Sequence, residues 1–212
     1  GGFAITDFFS INSKYGNWND IKKISKNYTV MTDIVLNHAS SQSKWFKNFL
    51  REKGEGKDFF LCLDKDANIK NVIRARSHDL IQKFYTKTGY KYLWCTFSRD
   101  QVDFDFKNPK VLLIFIKLVL FLQNKGVKIF RFDAVAFIWK RLDTSCINLD
   151  QAHAIIRLFR SILNFTNKTN KIVTETNLPF HENLSYFGNS DEANIIYNFS
   201  LAPLIINTLI KG

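Results

Sequence analysis

The sequence predicts an α/β fold with a parallel sheet. Apolar runs of strand length alternate with runs of helical length along most of its 212 residues, which is typical of strand–helix repeats. Polar side chains follow directly where several strand-like runs end. Residues 39–108 interrupt the alternation and are too many for an unstructured loop, so they predict a small inserted subdomain.

The elements follow from hydrophobic periodicity and from turn residues. The strand-like runs are GGFAITDF (1–8), TVMTDIVLNH (29–38), VKIFRFDAVAF (127–137), KIVTETN (171–177) and ANIIYNFS (193–200). The helix-like runs are NWNDIKKISKN (17–27), VLLIFIKLVLFLQNKG (111–126), AHAIIRLFRSILNF (152–165) and APLIINTLIKG (202–212). Gly126 is a helix-stop signal. We therefore expect three segments: 1–38, the inserted 39–108, and 109–212, which continues the main fold.

Composition excludes several classes of protein. The chain is 46% hydrophobic and 15% aromatic, enough for a sizeable core, and it has no apolar run of membrane-spanning length. The net charge is +11, but the lysines are scattered and no recognition motif accompanies them, so no nucleic-acid partner is expected. The cysteine number, 3, is odd and the spacing fits no metal site, which favours reduced thiols and a cytoplasmic location. Because the chain begins at Gly1 without Met, it is expected to be part of a longer protein.

The stretch KIFRFDAVAFIWK (128–140) places Asp133 inside an otherwise apolar run. Arg131 lies two residues earlier, so in a strand both side chains point the same way. An unpaired buried charge is unfavourable, so each needs a partner. The pair is either a structural salt bridge or a catalytic carboxylate held by an arginine at a strand end.

Other strand-like runs also end in polar residues: Asp33 and Asn37-His38 in one, and Thr174, Glu175 and Asn177 in another. In a parallel barrel these ends meet on one face. Asp133 and Glu175 would then form the carboxylate pair that glycoside chemistry needs, one attacking the anomeric carbon and the other protonating the leaving oxygen. Arg131 should favour the ionised form of Asp133. Taken singly, His38 could be a structural hydrogen-bonding residue and Asp33 could bind nearby backbone.

Three of these stretches resemble regions typical of the alpha-amylase superfamily, glycoside hydrolase family 13: DIVLNH (33–38), FRFDAV (130–135) and VTETN (173–177). The likeness is greater to the sucrose phosphorylase-like subfamily, through stretches such as WCTFSRDQVDFDF and TETNLPFHENLSYFG. The resemblance implies a partial TIM (β/α)8 barrel, with residues 39–108 as its domain B.

The resemblance also implies roles for individual residues. Asp133 matches the nucleophile, Glu175 the general acid/base and Arg131 the arginine that orients the nucleophile. His38 matches a histidine that binds the glucosyl hydroxyls. Further residues match the glucosyl subsite: Phe3 as an aromatic platform, and Phe97 and Gln101 as lining residues from domain B.

The implied activity is a retaining glycoside phosphorylase with a covalent glucosyl-Asp intermediate. It would use inorganic phosphate as a substrate, release α-glucose 1-phosphate, and need no cofactor and no metal. The small-molecule α-glucoside could be sucrose, glucosylglycerate or glucosylglycerol. A hydrolase or transglucosylase of the same family, or an inactive sugar-binding remnant, stays open, as does the oligomeric state.

Two positions depart from sucrose phosphorylases, and both are acceptor-side candidates. Phe137 stands where these enzymes carry Tyr, and Asn177 where they carry His, which makes a substrate other than sucrose at least equally expected. The resemblance implies that a third catalytic carboxylate lies beyond Gly212, and that the first strand and the last two strands of the barrel lie outside these 212 residues. The isolated chain is therefore expected to be inactive.

Overall fold

The computed structural model describes residues 2–211, which form a mixed α/β structure. The strands are β1 (Val30–Val35), β2 (His38–Ser40), β3 (Cys62–Leu63), β4 (Ile81–Thr86), β5 (Gly89–Trp94), β6 (Gln101–Asp103), β7 (Val127–Asp133), β8 (Lys171–Thr174) and β9 (Ile195–Ile196). The helices are α1 (Trp18–Ile24), α2 (Lys44–Leu50), α3 (Pro109–Asn124), α4 (Asp150–Thr166), α5 (Phe180–Leu184) and α6 (Leu201–Lys211), with 3-10 turns at Val135–Phe137 and Ser185–Phe187.

A parallel four-stranded sheet in the order β1-β7-β8-β9 positions the candidate site. Strand β7 lies inside it, and its Phe130 and Phe132 are fully buried. The preceding helix, α3, ends where Gly126 adopts φ +99°, a conformation that glycine allows without strain. Helix α4 buries one apolar face, including Phe159, whose ring packs edge-on against Phe132 at 5.0 Å.

Residues between β1 and α3 form two small antiparallel sheets, β2-β6 and β3-β5-β4. Their aromatic side chains share one hydrophobic core with the parallel sheet and α3; Phe104, for example, packs against Phe115 of α3 at 5.3 Å. Strand β2 begins at His38, so the expected boundary between residues 38 and 39 falls inside a strand. The division into three segments stays a prediction.

The strand predicted for residues 1–8 is wrong for its described part, residues 2–8, which form turns and bends, while Gly1 lies outside the described residues. Its apolar residues pack as loop side chains: Phe8 stacks on Trp45 at 4.9 Å. Strands β7, β8 and β9 are all shorter than predicted. The predicted final helix is present as α6 up to Lys211, and Gly212 lies outside the described residues.

Helix α6 exposes all of its described residues. Its apolar side chains at the surface are Leu201, Leu204, Ile205, Ile206, Leu209 and Ile210. Within residues 2–211, no helix combines the length and the apolar character needed to cross a membrane.

Candidate active site

Strand β7 carries Asp133 at its carboxyl end, where the side chain is almost completely buried. Arg131, two residues earlier on the same face, holds it: Arg131 Nη1 lies 2.9 Å from Asp133 Oδ1. The same Nη1 lies 2.6 Å from Asp33 Oδ1 on the neighbouring strand. The strand register explains this contact, because Asp33 and Arg131 are direct partners in the β1–β7 pairing. One guanidinium therefore bridges two carboxylates from adjacent strand ends.

Tyr197, which follows β9, is a partner of Arg131 that sequence reasoning missed. Arg131 Nε donates a hydrogen bond of 2.9 Å to the Tyr197 hydroxyl. The guanidinium also lies 5.0 Å from the centroid of the Tyr197 ring and 5.6 Å from that of Phe3. A cation over aromatic faces is favourable, and the ring contacts fix the guanidinium plane. The YNFS motif was a possible signal, but nothing in it indicates contact with Arg131.

Burial raises the pKa of the Asp133 carboxyl to about 6, although the hydrogen bond from Arg131 acts in the opposite direction. The charges of Glu175 and Asp33 add to the rise. Arg131 favours the ionised form of Asp133, as expected, but the loss of water around the carboxylate has the larger effect on its pKa. For Arg131, burial opposes ionisation, while hydrogen bonds to Asp133, Tyr197 and Asp33 outweigh it and raise its pKa.

Glu175 follows β8 and is half-buried. Its backbone N–H donates to the carbonyl of Phe132 at 2.9 Å, which continues the parallel pairing beyond the end of the strand. Its Oε2 accepts a 2.9 Å hydrogen bond from the backbone N–H of Ala134. Ala134 has φ 53° and ψ 33°, a left-handed conformation that few non-glycine residues adopt. Because of this turn, the backbone N–H of Ala134 points toward the Glu175 carboxylate.

A cavity of about 210 Å³ brings most of the predicted site residues together. It is lined by Phe3, His38, Arg76, Phe97, Gln101, Asp133, Ala134 and Glu175. The ends of the parallel strands contribute the two carboxylates, and the inserted segment contributes Arg76, Phe97 and Gln101, whereas Phe3 comes from the N-terminal loop. Sequence reasoning gave no role to Ala134 or to Arg76.

His38 is buried and fixed at the bottom of this arrangement. Its Nε2 lies 3.0 Å from the carbonyl oxygen of Phe3 and 2.9 Å from the side-chain nitrogen Nε2 of Gln101. The Phe97 ring packs edge-on against the imidazole at 5.3 Å. Burial lowers the pKa of His38 to about 4, so the ring is neutral near pH 7.

The remaining predicted residues lie outside the cavity lining. Arg131 lies behind Asp133 and contacts two lining residues, Asp133 and Phe3, without lining the cavity itself. Phe137 packs edge-on against Phe97 at 5.4 Å and so supports the cavity wall from behind. Asn177 is exposed. An acceptor-side role for Phe137 and Asn177 stays a prediction.

Residues 2–211 contain no group of three or more His, Cys, Asp or Glu side chains arranged to hold a metal ion. The carboxylates of the cavity instead face Arg131 and backbone donors. The absence of a metal or cofactor requirement stays a prediction.

Comparison with known proteins places this geometry in a family. The model of the alpha amylase catalytic domain matches residues 1–209. A glucosylglycerate phosphorylase of Spirochaeta thermophila is 41% identical over 99% of this chain, and a sucrose phosphorylase of Agrobacterium vitis is 24% identical over the whole chain. The crystal structure of sucrose 6F-phosphate phosphorylase from Thermoanaerobacter thermosaccharolyticum superposes on 99% of this chain with a TM-score of 0.85 and 27% identity.

The chain spans 36% of the length of the Spirochaeta relative, 44% of the Agrobacterium relative and 45% of the superposed structure. The predicted partial (β/α)8-barrel fold is confirmed by the parallel sheet together with this superposition. The match to the family model extends from the first residues to within α6 and includes both strand ends that carry Asp133 and Glu175. The chain therefore belongs to the alpha-amylase family.

Proposed function

We propose that the protein carrying this chain is a retaining glucoside phosphorylase that transfers a glucosyl group from glucosylglycerate to inorganic phosphate. The observation that carries the proposal is the placement of Asp133 and Glu175 on one sugar-sized cavity, with Arg131 bound behind Asp133. Glucosylglycerate is favoured over sucrose because the relative named for it is 41% identical, against 24% for the sucrose phosphorylase.

In the first step, a carboxylate oxygen of Asp133 attacks the anomeric carbon, while protonated Glu175 gives its proton to the leaving oxygen. A covalent glucosyl-Asp ester forms and glycerate leaves as the alcohol. In the second step, a phosphate oxygen attacks the same carbon and breaks the ester, while Glu175 takes back a proton. The product is α-glucose 1-phosphate, and two inversions give net retention of configuration.

Arg76 supports an anionic acceptor. It is the cation in the cavity lining, and its guanidinium lies 5.9 Å from the centroid of the Phe97 ring. Phosphate and the glycerate carboxylate both match the fork of N–H donors that a guanidinium presents. Arg76 is exposed, so its guanidinium is accessible to an anion that enters the cavity from solvent.

The proposed partners are thus a small α-glucoside and phosphate, without a cofactor or metal, and the oligomeric state is not assigned. A cytoplasmic location is supported by three free thiols, those of Cys62, Cys95 and Cys146, because thiols persist unpaired in reducing compartments.

The test is a phosphorolysis assay on the complete protein that carries this chain. Glucosylglycerate, glucosylglycerol and sucrose are offered with and without phosphate, and glucose 1-phosphate and free glucose are both measured. We expect phosphate-dependent release of glucose 1-phosphate, fastest from glucosylglycerate. Free glucose released at the same rate without phosphate would instead assign a hydrolase.

Two substitutions serve as controls in this assay. Asp133→Asn removes the nucleophile and Glu175→Gln removes the acid/base with little change of shape, so both should abolish turnover. The same assay on the 212-residue chain alone tests whether it is inactive in isolation. Glucose 1-phosphate formed by that chain above its Glu175→Gln level would refute the expectation.

A further inference from the structure

A buried ion pair joins the inserted segment to the residues after β7, next to the cavity but outside its lining. Lys140 Nζ lies 2.6 Å from Asp103 Oδ2, and both side chains are almost fully shielded from solvent. Asp103 is the last residue of β6, whereas Lys140 follows the 3-10 turn after Asp133. Replacing a buried ion pair with apolar residues is often neutral or stabilising, so stability alone does not account for this pair.

The pair fixes the side-chain amide of Asn37 from both ends. Lys140 Nζ donates a 2.6 Å hydrogen bond to Asn37 Oδ1. An ammonium has no acceptor, so this end of the amide must be the oxygen. At the other end, Asn37 Nδ2 donates a 2.9 Å hydrogen bond to Asp103 Oδ2. The two charges therefore leave the amide one orientation.

This orientation determines which nitrogen of His38 carries its proton. Asn37 Nδ2 also lies 3.3 Å from His38 Nδ1, and an amide nitrogen can only donate there. Nδ1 is therefore the acceptor, and Nε2 carries the proton. Gln101 Nε2 lies 2.9 Å from the same His38 Nε2, where two N–H donors would face each other, so this tautomer requires the Gln101 amide to turn Oε1 toward the ring and Nε2 toward Ser98 Oγ. Nε2 faces the cavity side, where it meets the carbonyl oxygen of Phe3 at 3.0 Å. A donor is thus presented on the side where a sugar hydroxyl oxygen would bind.

The pair also balances charge near the imidazole. The negative charge of Asp103 raises the pKa of His38 and the positive charge of Lys140 lowers it, so their effects oppose one another. Asp103 is held further by the N–H and hydroxyl of Thr96, at 2.9 and 2.5 Å. The groups that face His38 from the surrounding elements are Phe3, Asn37, Phe97, Gln101, Asp103 and Lys140, with Arg76, Asp133 and Glu175 on the shared cavity.

We propose that Lys140 is a positioning residue, which acts through Asn37 and Asp103 to hold His38 as the neutral tautomer protonated on Nε2. Lys140 touches neither His38 nor the cavity lining directly. Its ammonium therefore acts on the sugar-binding side chain only through the Asn37 amide and the Asp103 carboxylate.

The test follows the His38 ring by two-bond ¹H–¹⁵N NMR in the complete protein labelled with ¹⁵N-histidine. The signal of His38 is identified by its loss in His38→Gln. We expect the wild-type ring to show the Nε2–H tautomer throughout the neutral range. In Lys140→Met, the negative charge of Asp103 is no longer balanced, so the titration midpoint of the His38 ring should rise by about one pH unit or more.

Two further variants complete the design. Lys168→Met removes an exposed lysine of equal charge and should leave the His38 spectrum unchanged. The double variant Lys140→Met/Asp103→Asn removes both buried charges, so the site stays neutral. It replaces Lys140→Met in the test if that single variant does not fold. In that double variant the amide of Asn37 loses both fixed partners, so we expect mixed tautomers of His38.

An unchanged midpoint and a single Nε2–H tautomer in a folded Lys140 variant would overturn the proposal and leave a purely structural ion pair. The role of His38 in sugar binding rests on the proposed function, but the ring state does not. If the phosphorolysis assay fails while the NMR shifts appear, the proposed activity is wrong and the positioning role stands.

Discussion

Arg131 Nη1 lies 2.9 Å from Asp133 Oδ1 and 2.6 Å from Asp33 Oδ1, so one guanidinium nitrogen holds the candidate nucleophile and a carboxylate of the next strand. The contact with Asp33 depends on the register that pairs the two residues across β1 and β7. A one-residue slip of that register would turn Asp33 to the opposite face of the sheet. The alignment of the nucleophile is therefore a property of the sheet as well as of its own strand.

Replacing Arg131 with Met should move the acid limb of the pH–activity profile upward. In the proposed mechanism Asp133 must be ionised to attack, and its pKa is already raised to about 6 by burial while Arg131 opposes the rise. Without the guanidinium, the pKa of Asp133 should rise by about one to three further units. The measurement is kcat/KM against pH in the complete protein. Lys128→Met, an exposed cation on the same strand, is the matched control and should leave the limb in place.

Asp133→Asn should stabilise the folded state at neutral pH while it abolishes turnover. A folded-state pKa raised from 3.8 to about 6 means that the ionised side chain destabilises the fold by about 3 kcal/mol above the higher pKa. Below the unfolded-state value the aspartic acid is neutral in both states, and this difference disappears. Thermal melting of wild type and variant should therefore differ most above about pH 7 and converge below about pH 4. A difference in melting temperature that widens toward low pH would contradict a raised pKa of Asp133 in the folded state.

The left-handed conformation of Ala134 predicts a strong contrast between two substitutions. Ala134→Gly can adopt φ 53° without strain and keeps the N–H that binds Glu175 Oε2, so activity should change little. Ala134→Val adds a β-branched side chain, which should destabilise the fold by about 1–2 kcal/mol and displace that N–H. Melting temperature and kcat are measured for both variants. Equal melting temperatures and kcat values for the two variants would show that the backbone of Ala134 is not strained.

Phe137→Leu should weaken substrate binding more than catalysis. The ring lies outside the cavity but supports Phe97 edge-on at 5.4 Å. Aromatic pairs of this kind contribute about 0.5–1.5 kcal/mol, so KM should rise by roughly two- to tenfold with kcat nearly constant. Phe165→Leu, at an exposed position, is the control. A fall in kcat with unchanged KM would instead place Phe137 in direct contact with the reacting groups.

The sequence pattern predicted those elements that form because of residues close together in the chain. Helix α4 and strand β7 follow from periodicity, and the pairing of Arg131 with Asp133 follows from the alternation of side chains along one strand. The cluster of predicted residues on one cavity follows from the way parallel strands end on one face.

Other features depend on contacts between distant parts of the chain and leave no local pattern. Tyr197 meets Arg131 across 66 positions, and Lys140 meets Asn37 across 103. The run GGFAITDF has strand-like composition but, in its described residues, no neighbouring strand pairs with it. A strand needs a partner for its backbone groups, and composition alone cannot supply one.

The two sources of the cavity lining carry a consequence for how such enzymes diversify. The candidate catalytic carboxylates, Asp133 and Glu175, come from strand ends of the parallel sheet, whereas Arg76 and Phe97 come from the inserted segment. Under the proposed function, a change in the inserted segment can therefore alter which leaving group is accepted while the array of Arg131, Asp133 and Glu175 stays intact. Substitutions that alter substrate preference can therefore accumulate in the inserted segment while the strand ends that carry the candidate catalytic residues stay unchanged.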